Sequence, residues 1–422
     1  MRVSIEKSRV RGRVIAPSSK SYTIRGLMCA ALARGESELV HPLASDDTEA
    51  AVEVLGKAGV GCQRPGDLWK VTGGAFHQPD GDLFCRDSAA TLRFMTAISA
   101  IMPGRTRLTA GPSLARRPVR PLIEALRQLG VDCSSQGDTP PVTVSGGRFR
   151  GGTTELPGDV SSQYVSALLL VGPFAEDGLT IRLTTPLESR PYVLMTIECQ
   201  NRFGIRVEHS LALDRFTVSR QEYQPTRYEV EGDWSSVSYF LAMGALFGGV
   251  EVAHLNTESV QADRALLDLL QEMGAKVETA GDSVKVNGSG GLRPLQADLS
   301  GCIDLLPTVA VLAAVAEGTS ELSGIARARL KESDRVAAVK EGLEKMGIVV
   351  NESRDSLTIA GARPRGAVID SYGDHRIAMA FSILGLYAGS TVITGAECVN
   401  KTFPGFWDIL RSIGGAVTFH EQ

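Results

Sequence analysis

Six short runs in this chain put basic, hydroxyl and acidic side chains where helices begin. The first is Pro17-Ser18-Ser19-Lys20-Ser21, with Arg25 one turn further on. Proline and serine ahead of a helical run mark a helix start. Free N–H groups there, with Lys20, Ser21 and Arg25 on one face, make an anion site. The second run is Arg86-Asp87-Ser88-Ala89-Ala90-Thr91-Leu92-Arg93, whose small residues let backbone amides approach a phosphate. In the third, Arg116-Arg117-Pro118 precedes a helix expected over Pro121–Leu129. Paired arginines suit a bidentate grip on phosphate or carboxylate. The fourth is Ser161-Ser162-Gln163-Tyr164, opening an apolar helix. Taken singly, capped surface helices and exposed basic loops explain these four as well.

The other two runs carry acids as well as bases. Lys331-Glu332-Ser333-Asp334-Arg335, read as helical, puts Lys331 and Glu332 three or four residues from Arg335 on one face. A solvated charged face is the plain alternative. Gly373-Asp374-His375-Arg376 sits at the mouth of a small-residue helix, and Lys401-Thr402-Phe403-Pro404 accompanies it. Asp304 stands apart, in Cys302-Ile303-Asp304-Leu305-Leu306-Pro307. An acid among apolar residues is either paired or raised in pKa, and a raised pKa suits a general base. The inventory is many cations and two or three carboxylates, with neither a metal-ligand cluster nor a nucleotide loop. It suits polyanionic substrates reacting by proton transfer, with no cofactor and no metal.

These runs need a frame, and the sequence repeats one. A helical phrase ending in Gly, followed by a β-branched run, recurs at Gly59, Gly130, Gly204, Gly274, Gly347 and Gly414. The intervals are 71, 74, 70, 73 and 67 residues. Gly just past a helix takes the left-handed conformation that ends it, and alternation beyond it predicts a strand. Six such copies suit six α/β modules grouped as two domains of three. Runs such as Ala30–Gly35, Ala313–Gly318 and Leu384–Gly389 predict the buried helices. The stretch Tyr223–Gly232 is the best candidate for a crossing between domains.

Composition narrows the function classes. The chain has 422 residues, 44 Lys+Arg against 48 Asp+Glu, and 43% apolar residues. Balanced charge argues against a non-specific nucleic-acid binder. No run of about 18 apolar residues predicts a membrane span. Seven scattered cysteines without Cys-x-x-Cys argue against a disulfide framework or zinc site and suit a cytoplasmic protein.

Taken in order, the runs resemble those of the 5-enolpyruvylshikimate-3-phosphate synthase family of enolpyruvyl transferases. The likeness spans Val3 to Ile413. It adds Ser45-Asp46-Asp47, Ser189-Arg190-Pro191-Tyr192 and Glu231-Gly232-Asp233 to the runs above. The resemblance implies a two-lobed inside-out α/β barrel, a pseudo-threefold prism of six βαβαββ modules. It assigns residues 1–18 and 232–422 to a C-terminal lobe and 19–231 to an N-terminal lobe, with substrates in the cleft. The implied reaction joins the enolpyruvyl group of phosphoenolpyruvate to the 5-hydroxyl of shikimate 3-phosphate. Shikimate 3-phosphate would contact Lys20, Ser21, Arg25, Ser161, Ser162, Gln163, Ser189, Asp304 and Lys331. Phosphoenolpyruvate would contact Lys20, Ala89, Arg117, Gln163, Arg335, Arg376 and Lys401. Asp304 would act as base, Glu332 or Lys20 would protonate the enol carbon, and His375 would orient its neighbours. The resemblance also implies a monomer with small-molecule partners, binding neither nucleic acid nor membrane.

Two residues depart from the family pattern. Asp87 stands where the family often has Asn, which makes it a poor phosphate ligand. Ala89 replaces a Gly, and its methyl group is expected to weaken binding of the inhibitor glyphosate. The alternative is the enolpyruvyl transferase that acts on UDP-N-acetylglucosamine. That family carries a reactive Cys in a loop corresponding to Ala110–Pro118, and this chain has none there.

Overall fold

The computed structural model describes residues 1–288 and 290–420. The fold is mixed α/β. Among the described residues the helices are α1 (Lys20–Leu32), α2 (Asp46–Lys57), α3 (Ala89–Ile98), α4 (Arg120–Gln128), α5 (Ser162–Val171), α6 (Arg190–Arg202), α7 (Trp234–Phe247), α8 (Leu266–Glu272), α9 (Leu306–Ala313), α10 (Arg335–Lys345), α11 (His375–Ala388) and α12 (Phe406–Ser412). The strands form six four-stranded sheets.

All six sheets share one plan. Leu83–Phe84 runs parallel to Gly104–Thr109, which pairs antiparallel with Thr139–Gly146, which pairs antiparallel with Asp132–Gln136. The parallel step needs a crossover, and the buried helix α3 supplies it. The amphipathic helix α4 leads from Gly104–Thr109 to Asp132–Gln136, and a tight turn joins that strand to Thr139–Gly146. Odd-numbered helices are the buried ones, because small and apolar residues occupy all their faces. Even-numbered helices bury one face, and each is followed by a glycine two residues past its end. Gly59, Gly130, Gly204, Gly274, Gly347 and Gly414 all have positive φ, between +83° and +104°. A Cβ there would be strained, so the periodic glycines of the sequence are the helix stops.

The chain clusters into two units, residues 1–17 with 232–422 and residues 18–231. Ser18 therefore belongs with the second unit rather than with the terminal segments. Two strands are placed against their sequence neighbourhood. Gly12–Ile15 immediately precedes α1 yet pairs parallel with Val250–Ala253, after α7. Arg227–Glu229 precedes α7 yet pairs parallel with Gly35–Val40, after α1. The chain thus exchanges one strand between modules each time it crosses. At the crossings Ser19 N–H donates to Glu231 O and Asp233 N–H donates to Pro17 O, both at 2.8 Å. One further strand closes a long circuit: Arg2–Glu6 lies antiparallel between Thr391–Thr394 and Ala416–His420.

Candidate active site

In the unit 18–231 the polar residues gather at the N-terminal ends of α1, α3 and α5, with residues leading into α4 and α6. Ser19 caps α1, its hydroxyl accepting from Tyr22 N–H. Lys20 and Ser21 are therefore in the first turn, where free N–H groups attract anions. Lys20 Nζ lies 2.9 Å from Asp47 Oδ2, at the start of α2. Arg25 is buried, and protein groups occupy its guanidinium. Nε donates to Thr196 Oγ1 at 2.8 Å, Nη1 to Ser21 O and Nη2 to Tyr192 O, each at 3.0 Å. Its ordinary pKa is lowered by burial, although Cys199, Tyr22 and other neighbours oppose this. Arg25 thus anchors the first turn of α1 to α6.

Ala89 is the first residue of α3, after Ser88 at the cap. Asp87 points away from a ligand role: its Oδ1 accepts from Leu114 N–H at 2.9 Å and ties down the loop before α4. In that loop Arg117 is buried and Arg116 exposed, so the adjacent arginines face different surroundings and do not form a pair. Helix α4 starts at Arg120, one residue before the expected proline. Ser161 caps α5 and accepts from Gln163 N–H. Ser162 is buried, and Ser189 sits buried in a left-handed conformation at the start of α6.

Arg93 is the residue that sequence reasoning missed as a site member. It lies one turn along α3, and its Nη1 donates to Ser161 Oγ at 3.1 Å and to Gln163 Oε1 at 2.7 Å. Its guanidinium stacks 5.0 Å from the centre of the Tyr164 ring. Tyr164 in turn donates to Pro118 O at 2.5 Å. Arg93 so joins the second, third and fourth runs.

In the other unit the charged residues converge on Arg335. Nε donates to Asp374 Oδ2, Nη1 to Asp304 Oδ1 and Nη2 to Glu332 Oε2, each at 2.7 Å. Asp374 also caps α11, accepting from Arg376 N–H at 3.0 Å. Arg376 Nη2 donates to Asp304 Oδ2 at 3.1 Å, Lys331 Nζ lies 3.3 Å from Asp304 Oδ1, and Lys401 Nζ lies 3.4 Å from Glu332 Oε1. His375 is buried beside Asp374, with its Nδ1 3.9 Å from Oδ1. The helical reading of Lys331 and Glu332 is corrected here. Asp334 caps α10, so the helix begins at Arg335, and the two residues lie in the loop before it. They reach Arg335 and Asp304 through that loop.

Asp304 occupies a short 3-10 turn ahead of α9. Burial pushes its carboxyl up, but the cations Arg376, Lys331 and Arg335 outweigh burial and hold it well below the usual carboxylate range. Of the two alternatives open for Asp304, the structure selects pairing over a raised pKa. Lys331 is lowered by burial, partly offset by Asp304. Four cations meet three carboxylates in this cluster, so its residual charge favours anions. Among the described residues no group of three or more His, Cys, Asp and Glu side chains is placed to hold a metal ion. No helix there is long and apolar enough to cross a membrane.

The family model for EPSP synthase (3-phosphoshikimate 1-carboxyvinyltransferase) matches residues 5–410. A 3-phosphoshikimate 1-carboxyvinyltransferase of Dehalococcoides mccartyi (strain 195) is 50% identical over 419 residues, covering 99% of each chain. The enzyme of that name from Methanothermobacter thermautotrophicus is 40% identical over 420 residues, covering 98% of this chain and 99% of that one. The solved EPSP synthase of Acinetobacter baumannii superposes with a TM-score of 0.83 at 26% identity, over 100% of both chains. The match selects this family over the UDP-N-acetylglucosamine enolpyruvyl transferases. With both charged clusters inside the matched span, the chain belongs to the EPSP synthase family.

Proposed function

We infer that this chain is an enolpyruvyl transferase of the shikimate pathway. It transfers the enolpyruvyl group of phosphoenolpyruvate to the 5-hydroxyl of shikimate 3-phosphate and releases phosphate. The reading is carried by Asp304, whose two carboxylate oxygens are shared among Arg335, Arg376 and Lys331. A carboxylate held so far below its ordinary pKa is a weak base while those cations stay on it. Substrate phosphate and carboxylate groups compete for the same cations. As they draw Arg376 and Lys331 away, Asp304 gains base strength next to the hydroxyl it must deprotonate. The base is therefore strengthened by the substrates it serves.

In the proposed mechanism Asp304 takes the 5-hydroxyl proton as the oxygen attacks C2 of phosphoenolpyruvate. Glu332 or Lys20 delivers a proton to C3. The tetrahedral adduct then loses phosphate as a proton leaves C3. Shikimate 3-phosphate is held through Lys20, Ser21, Arg25, Ser161, Ser162, Gln163, Ser189, Asp304 and Lys331. Phosphoenolpyruvate is held through Lys20, Arg117, Gln163, Arg335, Arg376 and Lys401, with Ala89 limiting the space beside it. Arg93 supports this set by fixing Ser161 and Gln163. Four cations cancel charge that would otherwise repel between two polyanions. The inside-out barrel, the monomeric state and a cytoplasmic location belong to the same proposal.

Phosphate release is the test. The protein is mixed with shikimate 3-phosphate and phosphoenolpyruvate, and in parallel with UDP-N-acetylglucosamine and phosphoenolpyruvate. Release in the first mixture alone is expected. Its absence there sinks the reading.

A further inference from the structure

One buried hydroxyl outside the six runs serves the unit 18–231. Thr196 is on α6 and is 0% exposed. Its Oγ1 accepts from Arg25 Nε at 2.8 Å. The same hydroxyl has its proton for Ser166 Oγ on α5 at 2.9 Å, or for Tyr192 O one turn back at 3.2 Å. Ser166 is also 0% exposed and lies one turn past Ser162. One hydroxyl thus ties α1, α5 and α6 together, one to two turns inside their polar starts.

A guanidinium carries its N–H donors in a planar fork, one on Nε and two on each Nη. In Arg25 the Nε donor goes to Thr196 Oγ1, one Nη1 donor to Ser21 O and one Nη2 donor to Tyr192 O. The Phe94 ring of α3 lies 5.5 Å from Cζ, centre to carbon. One N–H on each Nη is left for a ligand. The fork is rigid, so the bonds already made fix where those two donors point. Two of the three acceptors are backbone carbonyls, which any residue supplies. Thr196 is the side chain among them, and there the choice of residue sets the orientation. Valine has the same shape but offers Nε no acceptor. A buried N–H on a cation is costly to leave unpaired, so Arg25 would turn to find another partner.

We propose that Thr196 is a positioning residue for shikimate 3-phosphate: its hydroxyl sets the plane of the Arg25 guanidinium and aims the two remaining N–H groups at the substrate. The inference rests on Arg25 contacting shikimate 3-phosphate, as proposed above. The effect belongs to binding of that one substrate. Arg25 is not among the contacts of phosphoenolpyruvate, and Asp304 and Glu332 lie in the other unit. Loss of the Thr196 hydroxyl should therefore weaken shikimate 3-phosphate and spare phosphoenolpyruvate and turnover. A hydrogen bond to a charged group is strong enough that losing its geometry shifts affinity about tenfold.

The test compares the parent protein with T196V and T196S. Titration calorimetry reads the affinity for shikimate 3-phosphate, and phosphate release reads kcat and both KM values. T196V should bind shikimate 3-phosphate about tenfold more weakly, with kcat and the KM for phosphoenolpyruvate within about twofold of the parent. T196S keeps the hydroxyl and should restore most of the affinity. Unchanged affinity in T196V overturns the inference. Equal weakening in T196S also overturns it, since the effect would then come from the methyl group, and so do equal losses for both substrates. Should T196V fail to fold, S166A decides. It removes the acceptor that orients the Thr196 hydroxyl, so affinity for shikimate 3-phosphate should fall about threefold, and an unmoved affinity overturns the inference. A parent protein that binds shikimate 3-phosphate yet releases no phosphate would instead indict the proposed reaction.

Discussion

Arg335 binds three carboxylates, of which Asp374 is fully buried, and holds a cluster that would otherwise repel itself. Removing the central cation strips the buried Asp374 of its cation and takes one cation from each of Asp304 and Glu332, which costs about 3–5 kcal/mol. Arg335→Met should therefore lower the Tm of this unit by roughly 10 °C, read by thermal unfolding. Asp304 contributes in the opposite charge sense. Its depressed pKa stabilises the fold fully above about pH 4 and progressively less as pH falls below that. For activity, Asp304→Ala should cut turnover about a hundredfold or more, measured at saturating substrates, and near-normal turnover would refute its role as base. Ala89 makes a specificity test. Ala89→Gly removes one methyl group at the start of α3 and should make the protein markedly more sensitive to glyphosate, while equal tight inhibition of both forms would exclude the steric account. Arg335 and Ala89 were legible within charged runs and Asp304 as an acid among apolar residues, but their partners were not. Arg93 ends a run whose small residues point to backbone–phosphate contact rather than to a guanidinium that fixes Ser161 and Gln163. Burial and partnership arise only once distant turns meet, and one sequence without relatives does not display that.

At the scale of elements, identical substitutions should act with opposite signs. Gly342 lies inside α10, where an added Cβ would meet Phe381 Cζ at 2.3 Å. Gly342→Ala should destabilise by about 1–3 kcal/mol through overpacking. Gly56 lies near the end of α2 with nothing within 4 Å of its would-be Cβ, so Gly56→Ala should gain about 0.5–1 kcal/mol in helix propensity. Denaturant midpoints for the two variants check both signs. Elements were the most legible level. The six helix stops are fixed locally, because a helix followed by a left-handed residue selects Gly whatever surrounds it. Helix starts were harder. The reading of Lys331-Glu332 as helical failed because Asp334, an equally good cap, sits three residues into the charged run and resets the start. Charge spacing alone does not distinguish a helical face from a loop that folds back.

The whole molecule is made of two units, and only one of them is continuous in the chain. Residues 18–231 include every strand their sheets need. Residues 232–422 lack Arg2–Glu6 and Gly12–Ile15, which leaves Val250–Ala253, Thr391–Thr394 and Ala416–His420 with open edges. A fragment of residues 18–231 should fold alone, giving a cooperative transition by circular dichroism. A fragment of residues 232–422 should aggregate until a peptide of residues 1–17 is supplied. The near-constant period made two groups of three modules legible, but not the exchange of single strands, since Gly12–Ile15 carries no local mark of its distant partner. That exchange has a consequence for synthesis on the ribosome. Arg2–Glu6 pairs with Ala416–His420, a strand synthesised some 400 residues later, with Arg2 opposite His420. At about 5–20 residues per second, the opening segment waits tens of seconds for its place. Residues 18–231 can fold meanwhile, so Arg2–Glu6 settles after a unit that follows it in the chain.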